Sequence, residues 1–379
     1  MTGPIARRVF TDQEFARRWQ SLRRILTDHQ VDLAVLVDAD TIYYLTGFAG
    51  SGSAFQALLV PMDNEPVHLL RYTEELSFLS TSWLDVPAFY NDWDNPVVLA
   101  ARLARKLVPR LRRVGIEKAS YHLAARRYEQ LMAEWPGALG VDLSDAIGWL
   151  RLVKSPEEIE QHRQAAIAVQ RGLETGVAAV RAGVREREIA AALAGTLVRA
   201  GADTLFPGTI VSGERLRDVD GRLGDRTLQH GDLVRMEMTN SVNRYWARLT
   251  RMVSVGPPSA EMAELYEQVR LAQEEQIARL VPGAIPSELD AFVRSKLPIG
   301  LWTMQLSGYA LACHECRIGW SELDRFWIVR DEYRPLAAGM VFHMVLTAGP
   351  GLSVGDTVVV TEQGGRYLTT YPRDLIVVE

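Results

Sequence analysis

The chain has 379 residues, a formal net charge of −5 and a pI near 5.9, with 47% hydrophobic and 23% charged residues. Single cores stop growing at roughly 250–300 residues, so two domains are expected, and an acidic balance with arginines interspersed among acids leaves no basic footprint for nucleic acid. The opening MTGPIARRVF has no apolar signal stretch and no run reaches the ~18 apolar residues of a membrane span, so a soluble, cytoplasmic chain without membrane contact is expected.

In chain order, Thr11 to Gln30 has a plausible N-cap and apolar residues at helical spacing, and Asp32 to Val37 is a short buried-strand run. Ala54 to Val60 and Val67 to Leu70 read as strands across the polar turn MDNEP. Helical patterns over Pro96 to Leu111 and Tyr121 to Ala133 bracket a strand at Val114 to Glu117. This predicts an α/β N-terminal domain over residues 1–152 with a mixed sheet.

Residues 153–379 open differently. In RLVKSPEEIE, serine is the N-cap, proline takes the first helical position and two acids face the positive helix end. Helices are expected over Glu157 to Val180 and Arg185 to Ala200, strands over Leu233 to Val242 and Tyr245 to Val255, then helices over Ser259 to Leu280 and Pro286 to Lys296. The end reads as strands at Gly339 to Leu346, Gly355 to Thr361 and Gly365 to Leu368, bounded by glycine turns. No repeat or low-complexity tract interrupts this α+β pattern.

The two cysteines, Cys313 and Cys316, enclose His314 and Glu315 in LACHECRIG. No second C-x-x-C exists to complete a structural zinc site, and two cysteines cannot make a disulfide framework.

The linker LVKSPEEIEQHRQAA, the early YLTGFAGS, the middle GDLVRMEM…RYWARLTRMVSVG…ELYEQV and the ending DTVVVTEQGGRYLTTYPRDLI together resemble the creatinase, prolidase and aminopeptidase P family, in order and over nearly the whole chain. The resemblance implies a creatinase-like N-terminal domain and a C-terminal "pita-bread" domain whose curved sheet holds the active site, and it implies a homodimer. Residues Tyr44 to Ser53 are a candidate loop of one subunit at the mouth of the other's site. In the peptidase members the sheet binds two divalent metals through two aspartates, a histidine and two glutamates. Those positions fall here on Glu237, Arg248, Cys316, Val345 and Gly355.

Valine and glycine offer no lone pair, and an arginine places a permanent cation where a metal would sit. The expectation is therefore no catalytic metal and no cofactor. A further family histidine falls on Asp220, in RLRDVDGRLGD, so the creatinase mechanism does not transfer unaltered. The Glu237 position, the Arg244–Tyr245 pair and the Gly339 to His343 strand most resemble the metal-free ectoine hydrolase type.

On this placement Glu237, His343, Cys316 and Asp220 are candidate catalytic residues. Strand alternation sends Arg235, Glu237 and Thr239 to one face, where Glu237 can act as acid or base or pair with Arg248. Cys316 is either an inert buried thiol or a nucleophile activated by His314, Arg317 and Arg248. Arg248, Tyr245, His314, Trp320 and Trp327 are candidate substrate-binding residues, Arg248 as a clamp for a carboxylate. With Trp302, Tyr309 and Phe326, the aromatics permit a box for a cationic or planar ligand. The reading is a metal-independent hydrolase or related C–N bond enzyme acting on a small polar metabolite: a cyclic amidine, a guanidino compound or a modified amino acid. A non-catalytic binding protein is the alternative, and an Xaa-Pro peptidase the third.

Overall fold

The computed structural model describes residues 8–50, 54–204, 206–219, 221–297, 305–312 and 323–379. It divides into two compact units, the first ending at Arg151 and including residues 323–325, the second starting at Leu152. The break falls one residue before the expected boundary, and the short return of 323–325 to the first unit has no signature in the sequence.

In the first unit, helix α1 (Asp12–Asp28) starts where the Thr11 hydroxyl accepts the Glu14 N–H at 3.2 Å, and it buries Phe15, Leu22 and Leu26 on one stripe. Strand β1 (Leu33–Leu36) leads to α2 (Ala39–Thr46), which Asp38 caps through the N–H groups of Asp40 and Thr41. Then come β2 (Ala57–Pro61), β3 (Val67–Arg71), α3 (Glu75–Thr81), β4 (Pro87–Tyr90), α4 (Pro96–Leu107), β5 (Arg113–Ile116), α5 (Ala125–Ala133), β6 (Leu139–Asp142) and α6 (Ser144–Leu152). The strand order is β4-β3-β2-β1-β5-β6, with β1–β2 and β2–β3 antiparallel and the other pairs parallel. This is the expected mixed sheet. β1 and β2 are buried along their whole length, as strands covered on both faces should be.

The second unit begins with α7 (Pro156–Ala179), held by a complete capping box between Ser155 and Glu158, and α8 (Glu186–Arg199). Strand β7 (Gly208–Ser212) precedes the long hairpin β8 (Leu233–Val242) and β9 (Tyr245–Val255). Its two-residue turn places Asn243 and Arg244 at φ 50° and 65°, the left-handed geometry that matches strand twist. Helices α9 (Ala260–Ile277) and α10 (Pro286–Lys296) follow, then β10 (Gly308–Ala310), β11 (Trp327–Ile328), β12 (Val341–Ala348), β13 (Leu352–Thr361), β14 (Gly364–Tyr367) and β15 (Ile376–Val378). The sheet runs β11-β10-β12-β13-β9-β8-β7, with β14 on β13 and β15 on β9.

α7 and α8 cover β8 and β9 through a core that includes Leu173, Leu193, Met236, Met238 and Leu249. α9 is pinned under β12 and β13, where the Gln273 amide donates to the carbonyls of Met344 and Val354 at 3.1 and 2.7 Å. The architecture is a creatinase-type N-terminal domain followed by a pita-bread domain. One expectation needs correcting: β13 starts at Leu352, so Gly355 lies within a strand, opposite Val345 and Thr250, and not at a turn.

Candidate active site

β8, β9, β10, β12 and β13 share a cavity of about 690 Å³, ordinary for a small-molecule site. Alternation along β8 turns Arg235 and Glu237 into it, while Met236 and Met238 pack in the core under α7 and α8. On β9, Arg248 sits opposite Thr239 and faces the same space. Its Nε donates to Thr239 Oγ1 at 2.8 Å, and its backbone N–H and C=O both bond the Thr357 hydroxyl at 2.8 Å. Its Nη1 lies 3.4 Å from Glu237 Oε1, and its Cζ is 5.5 Å from the centre of the Tyr309 ring. Arg235 is buried, and its Nη atoms donate to the carbonyls of Leu216, Asp218 and Val219.

His343, on β12, is 1% exposed and pairs across the ladder with Tyr309, their rings edge-to-face at 5.3 Å. Among the described residues, the buried Tyr309 hydroxyl and Thr250 Oγ1 have no hydrogen-bond partner, and the imidazole meets only the backbone of Asp356. Burial, reinforced by the charge of Arg248, holds the His343 pKa well below the usual histidine range, so the ring is neutral at pH 7. Gly355 makes room for it: a Cβ there would stand 2.8 Å from His343 Cε1 and 2.9 Å from Thr250 Oγ1. The cavity is completed by Gln305, Leu306, Trp327, Val329, Val345, Thr347 and Ser353.

Glu237, Arg248, His343 and Trp327 are thus brought together. Tyr245 is not. It is fully buried, its hydroxyl bonds Glu158 at 3.0 Å and its ring packs on His162; three residues before Arg248 on the same strand, it faces the opposite way. Cys316, His314, Trp320, Asp220 and Trp302 lie outside the described residues, as do Ser51 to Ser53 of the candidate mouth loop. Sequence reasoning named Tyr309 only among several aromatics, and it missed Thr250. The usable signal for Tyr309 was the small residues around it, since SGYA is a strand that lets neighbours approach closely.

Family resemblance implies divalent metals. Among the described residues no three His, Cys, Asp or Glu side chains converge on one point, and the cavity's carboxylate already faces a guanidinium. The donors among the described residues do not by themselves fit a pair of oxygen-ligated cations.

The model described as Metallopeptidase family M24 matches residues 160–362, and that of the Creatinase/Prolidase N-terminal domain matches residues 18–153. The chain belongs to the M24 family. It is 27% identical to the uncharacterized hydrolase/peptidase y4tM of Sinorhizobium fredii, covering 97% of this chain and 98% of that one. Among solved structures, the dipeptidase PepE of Mycobacterium ulcerans is 26% identical with a TM-score of 0.83, covering 97% of this chain and 99% of that one. A recombinant prolidase from Thermococcus sibiricus, 22% identical, superposes with a TM-score of 0.85 over 97% and 100% of the two chains and shares the fold. No helix among the described residues is long and apolar enough to cross a membrane.

Proposed function

We propose that the chain is a hydrolase of the M24 family that breaks a C–N bond in a small polar substrate without a divalent metal, in the manner of the ectoine hydrolase and creatinase-like branch. The observation that carries this reading is the Arg248 guanidinium inside the cavity, 3.4 Å from Glu237. A fixed cation there supplies positive charge without a metal.

Hydrolysis takes one proton from water and delivers one to the departing nitrogen. The Glu237 carboxylate is the acceptor facing the cavity. His343, neutral and lining the cavity, can accept a proton at one ring nitrogen and release one at the other. Cys316 and Asp220, which lie outside the described residues, remain candidates for a covalent or acid–base role.

The test is elemental analysis together with turnover of amidines, guanidines and N-substituted amino acids in chelator. Activity should survive chelation, and Glu237→Gln should lower it about 10²–10⁴-fold. A second reading, metal-dependent dipeptide hydrolysis, is favoured by the similarity to the M. ulcerans dipeptidase. Two metal ions per chain and dipeptide cleavage abolished by chelator would establish it in place of the first.

A further inference from the structure

We propose that the cavity takes a substrate with a free α-amino acid head, an ammonium and a carboxylate on one carbon, laid head to tail along the Glu237–Arg248 pair. The proposal deepens the metal-free reading above and rests on it, because a metal between these side chains would occupy the same space.

The geometry of the pair is the first argument. Charge-assisted N–H···O bonds close to about 2.7–2.9 Å and Arg–carboxylate pairs are often two-pronged, yet the shortest approach here is 3.4 Å. Arg248 does not depend on Glu237 for its position. Its Nε is held by Thr239 and its backbone by Thr357 on the neighbouring strand. The guanidinium edge and the carboxylate can therefore part slightly to take new partners without either strand moving.

Charge count among the described residues is the second. A ligand with a carboxylate alone would put two anions around one guanidinium, and a ligand with a cation alone would put two cations around one carboxylate. Arg235 gives no relief as a second anion site, since its Nη groups already serve three backbone carbonyls. A ligand whose two opposite charges are as close together as those of the protein pair meets both side chains at once. An α-amino acid head has that spacing, whereas in a dipeptide a peptide unit separates the charges.

The third argument is what surrounds the pair. The Tyr309 hydroxyl is buried without a partner among the described residues, the buried His343 ring beside it meets only the backbone of Asp356, and both residues line the cavity. Buried polar groups without partners are costly, and an amide or cyclic C–N group attached to the amino acid head would satisfy them. Leu306, Trp327, Val329 and Val345 offer apolar walls for its carbon skeleton.

The experiment is calorimetric titration of the whole chain in chelator-containing buffer with four probes: L-leucine, L-leucinamide, N-acetyl-L-leucine and glycyl-L-leucine. L-Leucine should bind at least about tenfold more tightly than each of the others, about 1.4 kcal/mol. Arg248→Met should erase its advantage over the amide, and Glu237→Gln its advantage over the N-acetyl compound. Because each comparison is a ratio within one variant, a general loss of stability does not imitate the result, and the wild-type series stands if a variant fails to fold. Equal or tighter binding of N-acetyl-L-leucine would show an anion-only site, tightest binding of glycyl-L-leucine a peptide site, and binding of none of the four no such head-group site; each overturns the proposal. Metal content and chelator sensitivity of turnover are read separately, so the head-group inference can fail while the metal-free reading stands.

Discussion

The site's two central strands are tied together from behind by one buried arginine, and replacing it probes that tie most directly. Arg251 and Asp356 have no exposed side-chain surface, and Arg251 Nη2 donates to Asp356 Oδ1 at 2.8 Å. The same guanidinium donates to the carbonyls of Thr250 and Gly355 through Nη1, each at 2.8 Å. It also bonds those of Pro372 through Nε at 2.6 Å and Tyr371 through Nη2 at 2.8 Å. Thr250 and Gly355 are the residues paired across β9 and β13 beside the cavity. Arg251→Met leaves Asp356 with Thr369 and Arg373 but strips donors from four carbonyls and half of a fully buried pair.

Breaking such a pair from one side costs about 3–5 kcal/mol. For a unit of this size each kcal/mol corresponds to about 2–4 °C, so the thermal midpoint of the second unit should fall by about 6–20 °C. Arg373→Met, which removes a part-exposed partner of the same aspartate, should cost only about 1–2 kcal/mol. The double change Arg251→Met with Asp356→Leu should recover part of the loss, because it removes a buried carboxylate left with only the part-exposed Arg373 as its ionic partner. Calorimetry of the three variants is the measurement. A midpoint within about 2 °C of the parent for Arg251→Met would refute the claim that this network holds the two strands.

Gly355→Ala would drive a methyl group to within 2.8 Å of His343 and 2.9 Å of Thr250; it should cost about 1–3 kcal/mol by overpacking and weaken ligand binding, read by chemical denaturation and titration together. Ser155→Ala removes the capping box of α7 and should lower stability by about 1 kcal/mol with ligand affinity unchanged. In the first unit, burial and then the Asp38 charge push Glu117 up to about 8. Burial would also raise Asp38, but His122, Arg151 and Ser120 outweigh it and bring it down to about 2. Over pH 4.5–8 the unfolded chain therefore holds fewer protons at Glu117 than the native one, and its contribution to stability falls as pH rises. That of Asp38 is complete above about 4 and lost as pH falls toward 2. Glu117→Gln should flatten the stability profile between pH 5 and 8, and an unchanged slope would show that Glu117 does not titrate there.

Elements with strong periodicity or clear end signals are legible in the sequence. The hairpin bounds Leu233–Val242 and Tyr245–Val255 coincide with the strands, and Pro286–Lys296 with α10. The short elements are not: β10 and β11 span three and two residues, too few to show alternation, and α2 is buried on every side and so has no polar stripe. At the site, alternation suffices to put Arg235 and Glu237 on one face, and the pairing of Arg248 with Glu237 follows from their near-opposite positions in a two-residue hairpin. Tyr245 misleads because being next to a motif in sequence does not decide which face of a strand a residue occupies. The room for His343 depends on a glycine twelve residues away across the β12–β13 ladder, a non-local fact that no local pattern carries.

Whether this cavity is a working site or the residue of one turns on how its side chains fit each other. A site drifting after loss of function accumulates buried charges without partners, since nothing selects their compensation. Among the described residues the charges are compensated: Arg248 by Glu237 and Thr239, Arg235 by three carbonyls, and Arg251 by Asp356. His343 and Tyr309, on adjacent strands, add uncharged hydrogen-bonding groups beside the charged pair. Gly355, whose lack of a side chain admits the imidazole, is a fitted neighbour of that arrangement. Compensation of these charges together with uncharged hydrogen-bonding groups is the pattern of a cavity shaped for a ligand, and it favours a re-specialised site over a vestigial one.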